Sequence, residues 1–474
     1  MSVRLVWFRS DLRLDDQPAL AAALAAGGAV VPVYVLDETR SVLTPGAASR
    51  WWLHGSLAAL DTDLRARGAR LVLRRGDPAT QIERLIAETG ATAIHWTRRY
   101  AKAHRDADAA LKTRLRESGV EAHSHNGALL HEPWEVTTGA GGWFKVFTPF
   151  WKACLARPAP AAPVPAPAHI TGPATWPASD ALAYWRLRPT APDWAIGLAA
   201  EWTPGEAGAQ ARLASFLDHA LDGYRGGRDL PGRESTSRLS PHLAFGELSP
   251  RRVLQAVRAR PPSADADKFL AELGWREFSH NLLFHHDDLA TRSFRPEFDA
   301  FPWATDARAL TAWRRGRTGY PLVDAGMREL WTTGWMHNRV RMVVASFLVK
   351  HLLIDWREGE RWFWDTLVDA DPANNAASWQ WVAGCGADAA PYFRVFNPVL
   401  QGAKFDADGA YVRRWVPELA ALPHAHLHQP WAAPSAILAA AGITLGKDYP
   451  RPIVEHNAAR TRALAAFATL RNAA

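Results

Sequence analysis

The chain has 474 residues, more than one ordinary hydrophobic core accommodates, so two domains are expected. With 48% hydrophobic and 22% charged residues it is not a disordered polypeptide. The net charge of +7, carried mostly by Arg, suits a polyanionic partner, although a general Ala and Arg bias explains it equally well.

Only Cys154 and Cys385 are present, far apart, so neither a disulfide framework nor a zinc site is expected. A reducing cytoplasm follows, and the N-terminus shows no basic-then-apolar leader. In chain order, Val3–Phe8, Val30–Leu36, Arg70–Leu73, Ala93–Trp96 and Val120–His123 predict strands. Ala19–Ala26, Trp51–Arg67, Ala79–Glu88 and Arg105–Glu117 predict the helices between them. That alternation predicts an α/β domain over residues 1–130, with a parallel, doubly wound sheet. The uncharged stretch between Asp16 and Asp37 is broken by Gly27-Gly28 and Pro32, so it reads as a helix and a strand, not a membrane span. No GxGxxG follows the first strand, so the dinucleotide fingerprint is absent.

Residues 131–204 read as a Pro- and Ala-rich connector, with the run from Arg157 to Pro177 extended. Beyond residue 205 the strand signal fades, and residues 205–470 predict an all-helical domain holding most of the 23 tryptophans. Helices are expected over Asp265–His285, Tyr320–Thr333, Asn338–Asp355 and Gly359–Val368.

Four stretches of this second part carry chemistry. Tyr224 to Pro241 sets the hydroxyls of Ser235, Thr236, Ser237 and Ser240 among Arg228, Arg233 and Arg238, a combination that suits a phosphate. A capped helix start explains the same residues. Glu272, Trp275 and Arg276 share a helix face and suit a flat heterocycle, or simply an amphipathic surface. Asn338, Arg341 and Met342 repeat that spacing, and Arg341 on the edge of a buried helix needs an acid such as Asp369 or Asp371. In Asp369–Trp381, Trp379 and Trp381 differ by about 200° around a helix and serve different neighbours. Core packing is the plain reading of such a pair, but the abundance of Trp nearby suits single-electron transfer.

In order and spacing these motifs resemble the DNA photolyase/cryptochrome family, in particular bacterial photolyases that repair cyclobutane pyrimidine dimers. The resemblance runs from Val6–Asp16 through Thr236–Ser240, Trp335–Met342 and Trp379–Trp381 to Phe396–Pro398. It implies an N-terminal antenna domain, a C-terminal FAD-binding and DNA-repair domain, and UV-damaged DNA as partner of a monomeric protein. By the same likeness Tyr224, Thr236, Ser237, Arg238, Leu239, Ser240, Arg341, Asp369, Ala370, Asp371 and Asn375 bind FAD, with Asn375 at flavin N5. Trp379, Trp356 and Trp303 form the electron chain, in that order from the flavin. Glu272, Trp275, Asn338, Met342 and Trp381 line the lesion cavity, and Arg228, Arg276, Arg339 and Gln401 contact DNA, with Arg394 and Lys404 as further phosphate contacts. A base-flipping light-driven lyase follows, and a cryptochrome-like photoreceptor without repair activity is the alternative. Asn375, Met342 and the short C-terminal tail favour repair. Ala376-Ala377-Ser378 departs from the Gly-Gly of many class I members and resembles the class III branch. The antenna expected on that likeness is methenyltetrahydrofolate rather than 8-hydroxydeazaflavin.

Overall fold

A computed structural model describes residues 2–39 and 43–472. They form two compact units that interleave along the sequence. The first comprises residues 1–222, 237–287 and 368–373, and the second residues 223–236, 288–367 and 374–474. Among the described residues no helix is long and apolar enough to cross a membrane.

The first unit is built on five parallel strands, β1 (Val3–Phe8), β2 (Ala29–Asp37), β3 (Val72–Gly76), β4 (Ala91–Thr97) and β5 (Glu121–His125), in the order β3-β2-β1-β4-β5. Helices α1 (Pro18–Ala25), α2 (Ala47–Arg65), α3 (Pro78–Thr89) and α4 (Lys102–Glu117) connect them. Most residues of β1 and β2 are apolar because both sheet faces are covered. Val6 and Phe8 of β1 join Leu53, Leu57 and Leu60 of α2 on one face. Leu5 and Trp7, one residue out of phase, join Ile82, Leu85, Leu111 and Leu115 of α3 and α4 on the other. Pro32 is accommodated within β2 because β3 pairs with it only from Val33 onward.

The third strand starts two residues later than the expected Arg70 and runs on to Gly76. Leu71 N–H is taken by the Asp61 carboxylate of α2 at 2.8 Å, so the ladder opens at Val72. The Pro-rich run from Arg157 to Pro177 has no regular structure, as its composition predicts. Within residues 131–204 there is nevertheless a regular helix, α5 (Phe147–Ala156). The long helix Ala264–His285 also belongs to this unit, with Ser263 capping Ala266 N–H and Asp265 and Asp267 in its first turn.

The second unit is helical. Its helices include Pro321–Thr333, Asn338–Ser346, Trp356–Thr366, Pro372–Ala383 (from residue 374 on) and Pro398–Phe405. The helix expected over Asn338–Asp355 is not one helix. After Ser346 it widens into a π turn, Phe347–His351, and Leu353 takes a left-handed φ of 56° that ends it. Asp355 then caps the next helix, accepting Arg357 N–H at 2.9 Å. Breaking the run places Trp356 at the start of a helix rather than at the end of one.

Candidate functional site

The helix Trp356–Thr366 buries Trp356, Gly359, Glu360 and Phe363, an i, i+3, i+4, i+7 stripe. Facing it, Asn375 and Trp379 stand one turn apart on Pro372–Ala383. The two stripes interlock residue by residue. The Asn375 amide donates to Glu360 Oε1 at 2.8 Å and to the Glu360 carbonyl at 3.0 Å. The Trp379 ring lies over Gly359, where a Cβ would come within 2.0 Å of it, and meets Phe363 edge-on at 5.0 Å. Trp313 meets Trp379 from another side at 6.2 Å. Burial pushes the Glu360 carboxyl up to about 7. Nothing in the sequence patterning marked Glu360, whose only signal is a charge within an apolar stripe.

Trp356 lies one turn before Gly359 on the same face, and the bridge between Ala304 and Ile354 sets Trp303 beside the start of that helix. The indole nitrogens of Trp303, Trp356 and Trp379 are all shielded from solvent and make no hydrogen bond among the described residues. Trp379 is buried, whereas Trp381, two residues on, is half-buried, as expected of residues on opposite helix faces. Between them Gln380 is fully buried and holds the loop before Arg295. Its amide donates to the carbonyls of Leu289 and Arg292, and its oxygen accepts Phe294 N–H. The sequence reading gave this residue no role.

The expected DNA contacts of the second unit share partners. Asp229 lies 2.9 Å from Arg339 and 3.9 Å from Arg228. Arg339 also lies over the Phe405 ring at 4.4 Å, and Lys404 approaches the same ring at 5.0 Å. Gln401, one turn earlier on that helix, has a shielded side-chain oxygen without a hydrogen-bond partner among the described residues. Arg228 sits over Tyr224 at 5.6 Å. Arg341 donates Nε–H to the Met336 carbonyl at 2.7 Å, and Asn338 and Met342 lie on its helix, exposed and half-buried respectively. Thr236 is half-buried in the coil that closes the segment Gly223–Thr236.

In the first unit, Ser237 and Arg238 are half-buried, Leu239 is buried and Ser240 exposed. The Arg238 guanidinium bonds the Glu201 carboxylate. Asp369 and Asp371 are buried and flank half-buried Ala370, with His280 of the long helix 3.6 Å from Asp371. Burial lowers the pKa of His280 despite that neighbour. Glu272 lies 3.0 Å from Lys268, one turn back on the helix, and Trp275 stacks on Phe147. Arg276 is half-buried. Its guanidinium donates to the Ala128 carbonyl at 2.8 Å and pairs with buried Glu277, so it serves the interior of this unit. Glu277, its carboxyl raised to about 7 by burial, accepts Leu130 N–H at 2.8 Å.

The same unit has an open cavity of about 220 Å³ lined by Trp96, Trp134, Arg98, Arg99, Arg105, Lys112 and Asp108, the last paired with Arg99 at 2.8 Å. Indole walls and a cationic rim suit a flat, anionic heterocycle.

These residues suit a flavin nucleotide. In the first unit, hydroxyl-bearing coil suits phosphate and buried carboxylates suit hydroxyl and ring N–H donors; in the second, a fixed amide stands one helical turn from a buried indole. Residues 4–168 match the family model for DNA photolyase, and residues 269–469 match that for the FAD binding domain of DNA photolyase. The chain is 53% identical to the deoxyribodipyrimidine photo-lyase of Agrobacterium fabrum over 98% of both chains. It is 41% identical to cryptochrome-1 of Arabidopsis thaliana, over 97% of this chain and 69% of the plant protein. Among solved structures, a class III photolyase from Agrobacterium tumefaciens superposes with a TM-score of 0.97 at 53% identity, covering 100% of this chain and 98% of that one. The chain therefore belongs to the DNA photolyase family, and its helical part carries that family's FAD-binding domain.

Proposed function

We propose that this photo-lyase splits cyclobutane pyrimidine dimers in UV-damaged DNA under blue light. The observation that most supports the reading is the second unit's helix segment with Asn375 and Trp379 on one face and Trp381 on another. Tyr224, Thr236, Arg341 and Asn375 are proposed to hold FAD, together with Ser237–Ser240 and Asp369–Asp371. Bound FAD, reduced and excited by light, supplies the single electron that opens the cyclobutane ring and then takes it back. Asn375 presents a neutral amide, fixed by Glu360, so it adds no negative charge next to an anionic ring. Trp379, Trp356 and Trp303 carry electrons inward, and their bare, shielded N–H groups give a radical cation no hydrogen-bonded base on the way.

Glu272, Trp275, Asn338, Met342 and Trp381 are proposed to receive the flipped dimer by stacking and base-edge hydrogen bonds. Arg228, Arg339, Lys404 and Gln401 bind the backbone around it without reading sequence. The Trp96/Trp134 cavity is the proposed seat of a methenyltetrahydrofolate antenna, its cationic rim meeting the folate carboxylates. A monomer in a reducing cytoplasm completes the reading, supported by two free, buried cysteines.

The test is loss of dimers from an oligothymidylate carrying one dimer, under blue light, with the purified protein and its FAD verified as reduced. Dimer loss in light but not in darkness is expected. Persistence of the dimer would favour the alternative, a photoreceptor of the kind suggested by the likeness to plant cryptochrome-1.

A further inference from the structure

Thr137 to Phe150 falls within the expected connector, yet it forms an arm laid along the long helix of the first unit. Thr137 and Trp143 bridge antiparallel, closed by Thr138 N–H to the Gly142 carbonyl at 2.7 Å. Gly141 turns the arm with φ +80°, a conformation that favours glycine. From there the arm meets a single stripe of the helix. Trp143 stacks on His285, its ring 5.0 Å away and 8° from parallel. The Phe144 carbonyl accepts the Asn281 amide at 3.2 Å. Phe150 meets Phe278 at 5.3 Å. At the end of the stripe Phe147 lies on Trp275, centroids 3.8 Å apart and planes within 9°. That is closer than the roughly 4.5–7 Å usual for aromatic pairs. The positions 275, 278, 281 and 285 recur every three or four residues, one helix face throughout. Gly274 permits the approach, because a Cβ there would lie 2.6 Å from the Trp151 ring of α5.

We propose that Phe147 is a positioning residue for dimer recognition: it covers one face of Trp275, fixes the plane of the indole, and directs the dimer to the side opposite Phe147. This rests on Trp275 being a lesion contact, as proposed above. A free indole on a helix surface samples several rotamers and must be ordered when a ligand binds. One already clamped by a parallel ring loses little on binding. The arm thereby makes the connector part of the recognition surface.

The experiment uses the full-length protein with FAD bound, its flavin content and melting temperature checked for each variant. Equilibrium binding is measured to an oligothymidylate with one dimer and to the same strand undamaged. Phe147→Ala is expected to weaken dimer binding about ten-fold, in line with the loss of one aromatic stack. Affinity for the undamaged strand and the rate of repair at saturating substrate stay unchanged, and Phe147→Tyr restores dimer affinity. In a Trp275→Ala background, Phe147→Ala adds nothing, because its effect passes through that indole. Unchanged dimer affinity in Phe147→Ala, equal loss on damaged and undamaged strands, or an additive effect in the double variant each overturns the proposal. Should Phe147→Ala lose flavin or melt early, Phe147→Leu is read by the same criteria. A wild-type protein that does not prefer the dimer strand would bring down the dimer-repair reading itself, which separates the two failures.

Discussion

Trp275 and Trp379 are both tryptophans on helices, yet their surroundings differ in every physical respect. Trp275 is half-buried and stacked face to face on Phe147. Trp379 is buried, contacted edge-on by Phe363 and Trp313, and has a shielded N–H without a partner among the described residues. Stacking on one side prepares an indole to receive another flat ring on its free side. Edge packing in an apolar shell offers no such face, but it places aromatic rings in contact and keeps water away. The first environment is suited to recognition and the second to moving an electron.

The largest expected effect tests the second half of that contrast. Trp379→Phe should slow photoreduction of oxidised FAD by at least about ten-fold, since phenylalanine is a much poorer one-electron donor, while dimer binding is retained. Flash spectroscopy reads the first quantity and a binding isotherm the second. A parallel loss of both would erase the distinction between the two indoles. Trp275→Ala should do the converse, weakening dimer affinity about 5- to 150-fold, the span of about 1–3 kcal/mol for one base–aromatic stack, with photoreduction unchanged.

A smaller effect sharpens the packing argument. Gly359→Ala drives a methyl into the Trp379 ring, which has Phe363 on one edge and Trp313 near another. Overpacking of this kind costs about 1–3 kcal/mol, so a melting temperature lower by several degrees and an altered photoreduction rate should appear together. An unshifted melting temperature would mean that the ring has room to move and that its insulation is looser than described.

The sheet domain was legible because apolar alternation and caps act locally. Val3–Phe8 is a strand in sequence and structure alike, and Gln17-Pro18 opens α1 as an N-cap followed by proline. The helical part was legible in its stripes but not in its interruption at Phe347–His351, where a tertiary bond intervenes. Lys350 Nζ donates to the Arg394 carbonyl at 3.0 Å, and burial lowers its pKa to about 7. Motif residues such as Asn375 and Trp379 were visible through their order along the chain. Their partners Glu360 and Gly359, and the Phe147 that stacks on Trp275, were not, because each matters through a contact with a distant residue that no local spacing encodes. Arg276 is similar: its bonds to Ala128 and Glu277 were not legible in the spacing that sets it beside Trp275.

Glu360 offers the finest test, because it links the insulated region to pH. Its folded carboxyl titrates at about 7 against an ordinary value of 4.5, with burial as the largest cause. A raised carboxyl means that the folded state holds a proton that the unfolded chain has already released between those two values. The stability from this group is therefore full below about pH 4.5 and is lost as pH rises through about 7. Glu360→Gln keeps an oxygen to accept the Asn375 amide but cannot titrate. Denaturant unfolding at pH 5 and pH 8 should thus show the variant more stable than wild type by about 1–2 kcal/mol at the higher pH, with the two nearly equal at the lower. Parallel profiles would show that Glu360 is ionised at neutrality. Asn375 would then stand beside a fixed negative charge, and the contrast between a neutral, insulated electron path and a polar recognition face would lose its electrostatic basis.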